Sequence, residues 1–146
     1  MHLLLWTAER IKLEEIDSII SAELPDKETD PLLFDIVSKN MIHGPCGALN
    51  PGNVCMANGR CTKDFPKAYC SETRSGNDGY PLYRRRSPED GGQSFTRING
   101  QDEVEITNQF VVPYCPILCR IFECHINLEM CHSIKSIQYV CKVNSA

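Results

Sequence analysis

The chain has 146 residues, of which 42% are hydrophobic and 23% are charged, and its formal net charge is −4. These proportions are typical of a globular protein with a single core, and they exclude a disordered or fibrous chain. The net negative charge argues against a free-standing nucleic-acid-binding protein. No apolar run approaches the roughly 20 residues of a membrane helix, and the first run is too short for a secretory signal. We therefore expect an intracellular protein, nuclear or cytoplasmic, with no membrane partner.

The nine cysteines are the most unusual feature of the composition. In a reducing compartment, cysteines are thiols or metal ligands before they are disulfides, and an odd number fits poorly with a closed disulfide framework. This argues against a secreted protein held together by disulfides, and it makes metal binding the first chemistry to consider.

Residues 1–40 predict a strand followed by two helices. His2 to Trp6 has the pattern of a buried strand, and Lys12 to Ala22 has apolar residues at helical intervals. A second helix is expected to begin with Asp30 as its N-cap and Pro31 in its first turn. The apolar residues of its inner face are Leu33, Ile36 and Val37.

Residues 41–79 predict a loop module rich in glycine, proline and asparagine. Within it, the stretch "HGPCGALNPGNVCMANGRC" is too short and too glycine-rich to bury a core of its own. Residues 43–61 contain one histidine and three cysteines, the ligand set of a closed tetrahedral zinc site, which would contribute on the order of 10 kcal/mol at neutral pH. The Cys-x5-Cys spacing is wider than usual for zinc, and the alternative is that the thiols pack beneath apolar side chains. The predicted ligands are His43, Cys46, Cys55 and Cys61.

Residues 80–146 predict strands and a terminal helix. Asn99-Gly100 between two alternating segments indicates a β-hairpin. The other expected strands are "YPLYRRR", "QFVVPY" and "RIFECHINLEM", and the expected helix is "SIKSIQYVCKV". A second Cys/His group is interpreted as separate core thiols and surface histidines: Cys119, Cys124, His125, Cys131 and His132. The predicted class is α+β, one partial domain (1–146) in which an antiparallel sheet has flanking helices and a Cys/His-rich loop.

Several stretches, in order along nearly the whole chain, resemble the replication-initiator region of Helitron rolling-circle transposases, the Helitron helicase-like domain. They are "KNMIHGPCG", "VCMANGRCTKDFPK", "DGYPLYRRR", "VVPYCP" and "CHINLEMCHSIKSIQYVCK". The resemblance implies an endonuclease of transposable elements that uses a divalent ion (Mg²⁺ or Mn²⁺) and helical tyrosines to nick single-stranded DNA and join it. In full-length elements a DNA helicase domain follows.

The family motif implies roles for individual residues. His2 matches the second histidine of a histidine-hydrophobe-histidine metal motif, and the first would precede Met1. Tyr139 matches the first of two helical tyrosines, and Lys142 matches the lysine between them, where it would help to hold the scissile phosphate. Glu129 is either a further acidic ligand of the divalent ion or a solvent-facing residue.

Basic residues in the middle of the chain are candidates for contacts with a DNA backbone, which position a strand without reading its sequence. The alternative is a solvated run of charges. These residues are Lys63, Lys67, Arg84, Arg85 and Arg86. The sequence has no GxxxxGK[ST] stretch, so it offers no P-loop for ATP hydrolysis.

Two functions remain open from the sequence. The first is a fragment of a Helitron-type transposase, ancestrally a DNA-nicking domain and inactive alone. The second is a zinc-stabilised module that binds DNA or protein without catalysis.

Overall fold

The computed structural model describes residues 7–9, 11–77 and 80–130. Within these ranges the chain forms two α-helices, six short strands and three 3-10 helices. The α-helices are α1 (Pro31–Asn40) and α2 (Pro116–Phe122), and the 3-10 helices are Leu13–Ser18, Pro88–Asp90 and Asn108–Phe110. The strands are β1 (Met56–Ala57), β2 (Arg60–Cys61), β3 (Arg74–Ser75), β4 (Pro81–Leu82), β5 (Phe95–Asn99) and β6 (Asp102–Ile106).

The strands pair antiparallel, β1 with β2, β3 with β4 and β5 with β6. The α+β class is therefore confirmed, although the described strands form three two-stranded sheets rather than one larger sheet. The predicted hairpin is also confirmed, since β5 and β6 pair from Phe95 with Ile106 to Asn99 with Asp102. Its turn is centred one residue later than expected, and Gly100 takes the positive φ of 69° that glycine adopts without steric cost.

Helix α1 begins and packs as its sequence predicts. The Asp30 carboxylate accepts a hydrogen bond from the backbone N–H of Leu33, and Pro31 occupies the first turn, where its missing N–H costs nothing. The expected inner face is buried, with Leu33, Ile36 and Val37 no more than 6% exposed. Arg120 of α2 forms an ion pair with Asp30, which ties the two helices together at this end.

The largest core cluster lies between the two helices and an extended segment after the third 3-10 helix. Besides the inner face of α1, its buried members are Leu24, Met41, Val111, Val112, Tyr114 and Cys119. Each large apolar side chain buried there stabilises the fold by about 1.5–3 kcal/mol. Two isolated bridges, Ser21 with Tyr114 and Ile42 with Val111, hold the extended segment against the N-terminal half.

The helix expected from Lys12 to Ala22 is wrong in its second half. Only Leu13–Ser18 is helical, and it is a 3-10 helix. The chain then turns away because Ser21 uses both its backbone N–H and its C=O to pair with Tyr114. The apolar residues Ile16 and Ile20 are nevertheless buried. Their spacing therefore predicted correctly which residues enter the core, although it did not predict the 3-10 helix.

The strand expected for "RIFECHINLEM" is also wrong. The segment instead contains part of helix α2, which begins at Pro116, directly after the extended residue Cys115. The helix ends before Glu123, which has a left-handed φ of 45°. No regular element follows in residues 123–130.

Two other expected strands are reduced. Pro81 and Leu82 alone of "YPLYRRR" belong to a strand, and "QFVVPY" is the end of a 3-10 helix followed by isolated bridges.

Candidate metal centre

Four potential ligands from one short segment, the Cys/His loop (residues 43–61), converge at a single point. One ligand atom each from His43, Cys46, Cys55 and Cys61 lies within 4.8 Å of the other three. His43 Nε2 and Cys61 Sγ are 3.3 Å apart. In a tetrahedral site with Zn–S bonds of about 2.3 Å, neighbouring ligand atoms lie about 3.8 Å from one another. The group therefore has the composition and nearly the dimensions of a closed zinc site.

The β1–β2 hairpin brings two of the cysteines together. Asn58 and Gly59 form its turn with φ values of 50° and 75°, the positive values that a tight two-residue hairpin requires. Because Met56 pairs with Cys61, the residue before β1, Cys55, lies beside the last residue of β2. The wide Cys-x5-Cys spacing is thus the length of a hairpin, and the Asn58-Gly59 pair was the sequence signal that could have revealed it.

The other two ligands come from one tight turn that only glycine allows. Gly44 has a φ of 96°, and a Cβ atom there would lie 2.7 Å from the backbone nitrogen of Cys46. The His43 N–H donates to the C=O of Phe110 at 2.8 Å. This turn is therefore fixed to the core, and the imidazole is presented towards the hairpin.

Hydrogen bonds and a ring contact hold the ligands in place. The Lys63 N–H donates to Cys61 Sγ at 3.4 Å, and Cys46 Sγ donates to the C=O of Phe65 at 3.5 Å. The imidazole of His43 stacks on Phe65, with ring centroids 4.4 Å apart and planes at 23°. Outer contacts of this kind orient metal ligands and tune their basicity.

The electrostatics of the group favour a neutral imidazole at His43 and make Cys61 the thiol that ionises most readily. Burial, followed by the positive charges of Lys63 and Lys67, lowers the pKa of His43. Burial alone would raise the pKa of Cys61, but backbone hydrogen bonds at Phe65 and Lys63, together with hydrogen bonds from the two neighbouring thiols, outweigh it and the net pKa is lowered. Burial and the neighbouring thiols raise the pKa of Cys46 to about 12, so this thiol would release a proton on binding a metal.

Thiolate and imidazole donors select zinc over the oxygen-preferring Mg²⁺ and Mn²⁺. The predicted Mg²⁺ or Mn²⁺ site depends on His2 and Glu129. Of these two residues, His2 lies outside the described residues. Within the described residues, Glu129 belongs to no group of three potential ligands.

The second Cys/His group does not converge either as far as it is described, since Cys119 is fully buried while Cys124 and His125 are exposed. Its other members, Cys131 and His132, lie outside the described residues, as do Tyr139, Lys142 and the predicted terminal helix.

The three consecutive arginines have different surroundings. Arg84 and Arg86 both donate to the carboxylate of Glu23, which is only 5% exposed. Arg85 points the other way, is 5% exposed, and donates through Nη1 to the C=O groups of Asn108 and Val111 at 2.7 and 2.6 Å. Burial lowers its pKa to about 10, so it stays charged at neutral pH. Of the arginines predicted to follow a DNA backbone, Arg85 is thus turned into the protein, whereas Arg84 and Arg86 pair with Glu23 and keep 38% and 41% of their side chains exposed.

Unlike Arg84 and Arg86, Lys63 and Lys67 form no ion pair with a carboxylate in the described part of the chain. Both line a cleft beside the Cys/His loop, and Lys63 is exposed.

No protein-family model matches the chain, and no curated protein matches it. No helix in the described ranges is long and apolar enough to cross a membrane.

Proposed function

We propose that the chain is a zinc-stabilised module that binds single-stranded DNA, and that it is part of a Helitron-type replication-initiator domain. The observation that carries the proposal is the convergence of His43 and three cysteines within 4.8 Å. A closed site with four protein ligands leaves no position for a substrate, so zinc here would be structural rather than catalytic.

The position of the basic residues supports a DNA-binding role. Lys63 follows the last ligand, Cys61, by two residues, and its N–H donates to that sulfur. Lys67 lies four residues further on, and its backbone N–H donates to the C=O of Gln109. A metal bound by the loop would therefore order Lys63, whereas the bond to Gln109 holds Lys67 against the core, and two such ammonium groups can contact the phosphates of a DNA strand.

The nicking activity is proposed only for the ancestral domain. Tyr139 would be the nucleophile, Lys142 would hold the phosphate, and His2 would ligate Mg²⁺ or Mn²⁺, with Glu129 as a further candidate ligand. The family motif uses a pair of imidazoles, and the sequence supplies one of them. In the full-length element, a helicase domain would separate the strands that such a domain cuts.

The experiment measures binding of a labelled single-stranded oligonucleotide to the zinc-loaded protein, to the protein treated with a chelator, and to Cys55→Ser. We expect binding by the loaded protein and a loss of at least tenfold in affinity in the other two samples, because the basic segment loses its order. Equal binding with and without zinc would contradict the proposal, and no binding by the loaded protein would leave only the protein-binding alternative.

Catalysis is tested separately with Mn²⁺ and the same labelled strand. We expect no covalent adduct. A DNA–protein adduct that is lost in Tyr139→Phe would show that this chain can nick DNA unaided and would overturn the assignment as an inactive module.

A further inference from the structure

A cleft of about 740 Å³ lies between the segment that follows the Cys/His loop and the β3–β4 pair. This volume falls within the roughly 300–1,000 Å³ of sites that take a ligand of drug size, so it has room for a nucleotide unit. Its wall combines cations with aromatic rings. The lining residues that matter here are Lys63, Phe65, Lys67, Tyr69, Arg85 and Glu129.

A ligand can reach three of the cations in the wall, the two lysines and the exposed Arg74. Neither ammonium group forms an ion pair with a carboxylate in the described part of the chain. The Lys67 ammonium lies 5.2 Å from the centroid of the Phe65 ring, which positions it without neutralising it. Arg85 adds a fixed positive charge behind the wall, but its hydrogen bonds go to backbone C=O groups.

Tyr69 provides a rigid aromatic surface in the same wall. Its hydroxyl donates to Thr107 Oγ1 at 3.0 Å, which fixes the ring, while 40% of the residue remains exposed. Nucleic bases stack on such rings whatever their sequence, at a strength of about 1–3 kcal/mol per base. A base in a duplex has both faces covered by its neighbours, so stacking of this kind selects single strands.

One acidic residue opposes phosphate in the cleft. Glu129 as a whole is exposed, but its carboxyl group faces the cleft, and desolvation there raises its pKa. A phosphate beside this carboxyl group would be repelled whenever the group is ionised. The phosphates of a bound strand are therefore expected at the lysines, and Glu129, whose charge also acts on Lys67, is expected to weaken their binding when it is ionised.

We propose that this cleft is the place where the single strand binds, with phosphates at Lys63 and Lys67 and a base stacked on Tyr69. The inference rests on the proposed function and assigns it a location and a mode of contact. Zinc would affect strand binding indirectly. Its ligand His43 stacks on Phe65, and Phe65 belongs to the same cleft wall as the two lysines.

The test of the phosphate contacts uses the zinc-loaded full chain and a labelled oligothymidylate, with affinities measured over a range of salt concentrations. The double variant Lys63→Gln, Lys67→Gln is compared with Lys27→Gln, which removes an exposed lysine outside the cleft. We expect the double variant to weaken binding on the order of tenfold and to reduce the slope of log K against log salt by about 1.4, since each single-strand phosphate contact contributes about 0.7. Lys27→Gln is expected to leave the slope unchanged.

The test of stacking compares Tyr69→Leu with Tyr69→Phe. Loss of the ring is expected to weaken binding about tenfold, whereas Tyr69→Phe keeps the ring and most of the affinity. Glu129→Gln is expected to strengthen binding, because it removes a like charge. Circular dichroism confirms that each variant is folded.

The outcomes separate the two proposals. Binding by the wild type that is unchanged in all the cleft variants would overturn the cleft as the site and leave the proposed function standing. No binding by the wild type would overturn both. Equal affinity for duplex DNA would overturn the stacking mode. Equal affinity for an oligouridylate would support the cleft and move the proposed function from DNA towards RNA.

Discussion

The Cys/His loop and the helical core are ordered by different means. In residues 42–77, which contain the loop, the buried residues are Pro45, Cys46 and Cys61, two of which are candidate ligands. In α1, ten residues long, three large apolar side chains are buried in one face. The loop thus has almost no core, whereas α1 is held by apolar contacts along its length.

This difference has an energetic meaning. Fixing one residue of backbone costs roughly 1–2 kcal/mol of conformational entropy at 25 °C. In the core, the burial of apolar surface offsets that cost, at about 1.5–3 kcal/mol for each large side chain. In the loop, two buried thiols and a proline cannot do so, and a zinc ion contributing on the order of 10 kcal/mol can. Perturbing the metal and perturbing the core should therefore disorder different parts of the molecule.

The largest effect is expected on removing the metal. A chelator added to the zinc-loaded protein should greatly speed amide hydrogen exchange in the β1–β2 hairpin, including the Thr62 N–H that donates to the C=O of Cys55. The amides of α1 should keep their protection, because their packing does not involve the ligands. Hydrogen exchange followed by mass spectrometry measures both regions at once, and simultaneous loss of protection in both would contradict the separation.

A core substitution should have the opposite pattern. Ile36→Ala removes a side chain that is 4% exposed in the main cluster, and we expect it to lower the free energy of unfolding by about 3 kcal/mol without changing zinc content. Ile117→Ala, in α2, is the matched control, because that residue is 67% exposed and its loss should cost less than about 0.5 kcal/mol. Urea titration measures both, and equal costs would contradict the burial of Ile36 in the core and the exposure of Ile117.

Ion pairs between Glu23 and two arginines, Arg84 and Arg86, are a third kind of stabilising contact. Their contribution to stability depends on pH. Burial alone would raise the pKa of Glu23, but hydrogen bonds and charges from Arg86 and Arg84 outweigh it and the net pKa is lowered. A carboxyl group with a lowered pKa in the folded state stabilises the fold above its unfolded pKa, near 4.5, and this stabilisation disappears as the pH falls through the folded pKa.

Glu23→Gln should therefore lower stability at pH 7 by about 2 kcal/mol and make stability less dependent on pH between about pH 5 and pH 3. Glu103→Gln, on an exposed position of β6, is the control and should leave the acid limb of the stability profile as in the wild type. Thermal unfolding across this pH range distinguishes the two, and parallel profiles for Glu23→Gln and the wild type would contradict the role of the pair.

The parts of the fold that local signals specify could be predicted from the sequence. Helix α1 combines a capping Asp30, a first-turn Pro31 and a 3.6-residue apolar period, and all three agree. The β5–β6 hairpin combines alternation with a turn dipeptide. The four members of the Cys/His loop were predicted from residue type and crowding, and the structure brings all four together.

The parts that depend on distant partners could not. The 3-10 helix that ends at Ser18 gives way to a pairing between Ser21 and Tyr114, residues far apart in the sequence. Three identical arginines carry no local signal that the middle one is buried, since its acceptors lie near Asn108 and Val111. In α2, Ile117 and Ile121 face solvent, so the apolar residues did not mark the inner face, and the opening Pro116 was the better guide.

The central claim is that zinc orders the Cys/His loop, whereas apolar packing alone orders the core. Its most direct test is the zinc content of protein purified under reducing conditions without a histidine tag. Cys46→Ser removes a candidate ligand, and Cys119→Ser removes an equally buried cysteine from the main core cluster, where the thiol packs as an apolar group. We predict about one zinc per chain in the wild type and in Cys119→Ser, and a loss of zinc in Cys46→Ser. Less than about half an equivalent in the wild type, or a full equivalent in Cys46→Ser, would contradict the account.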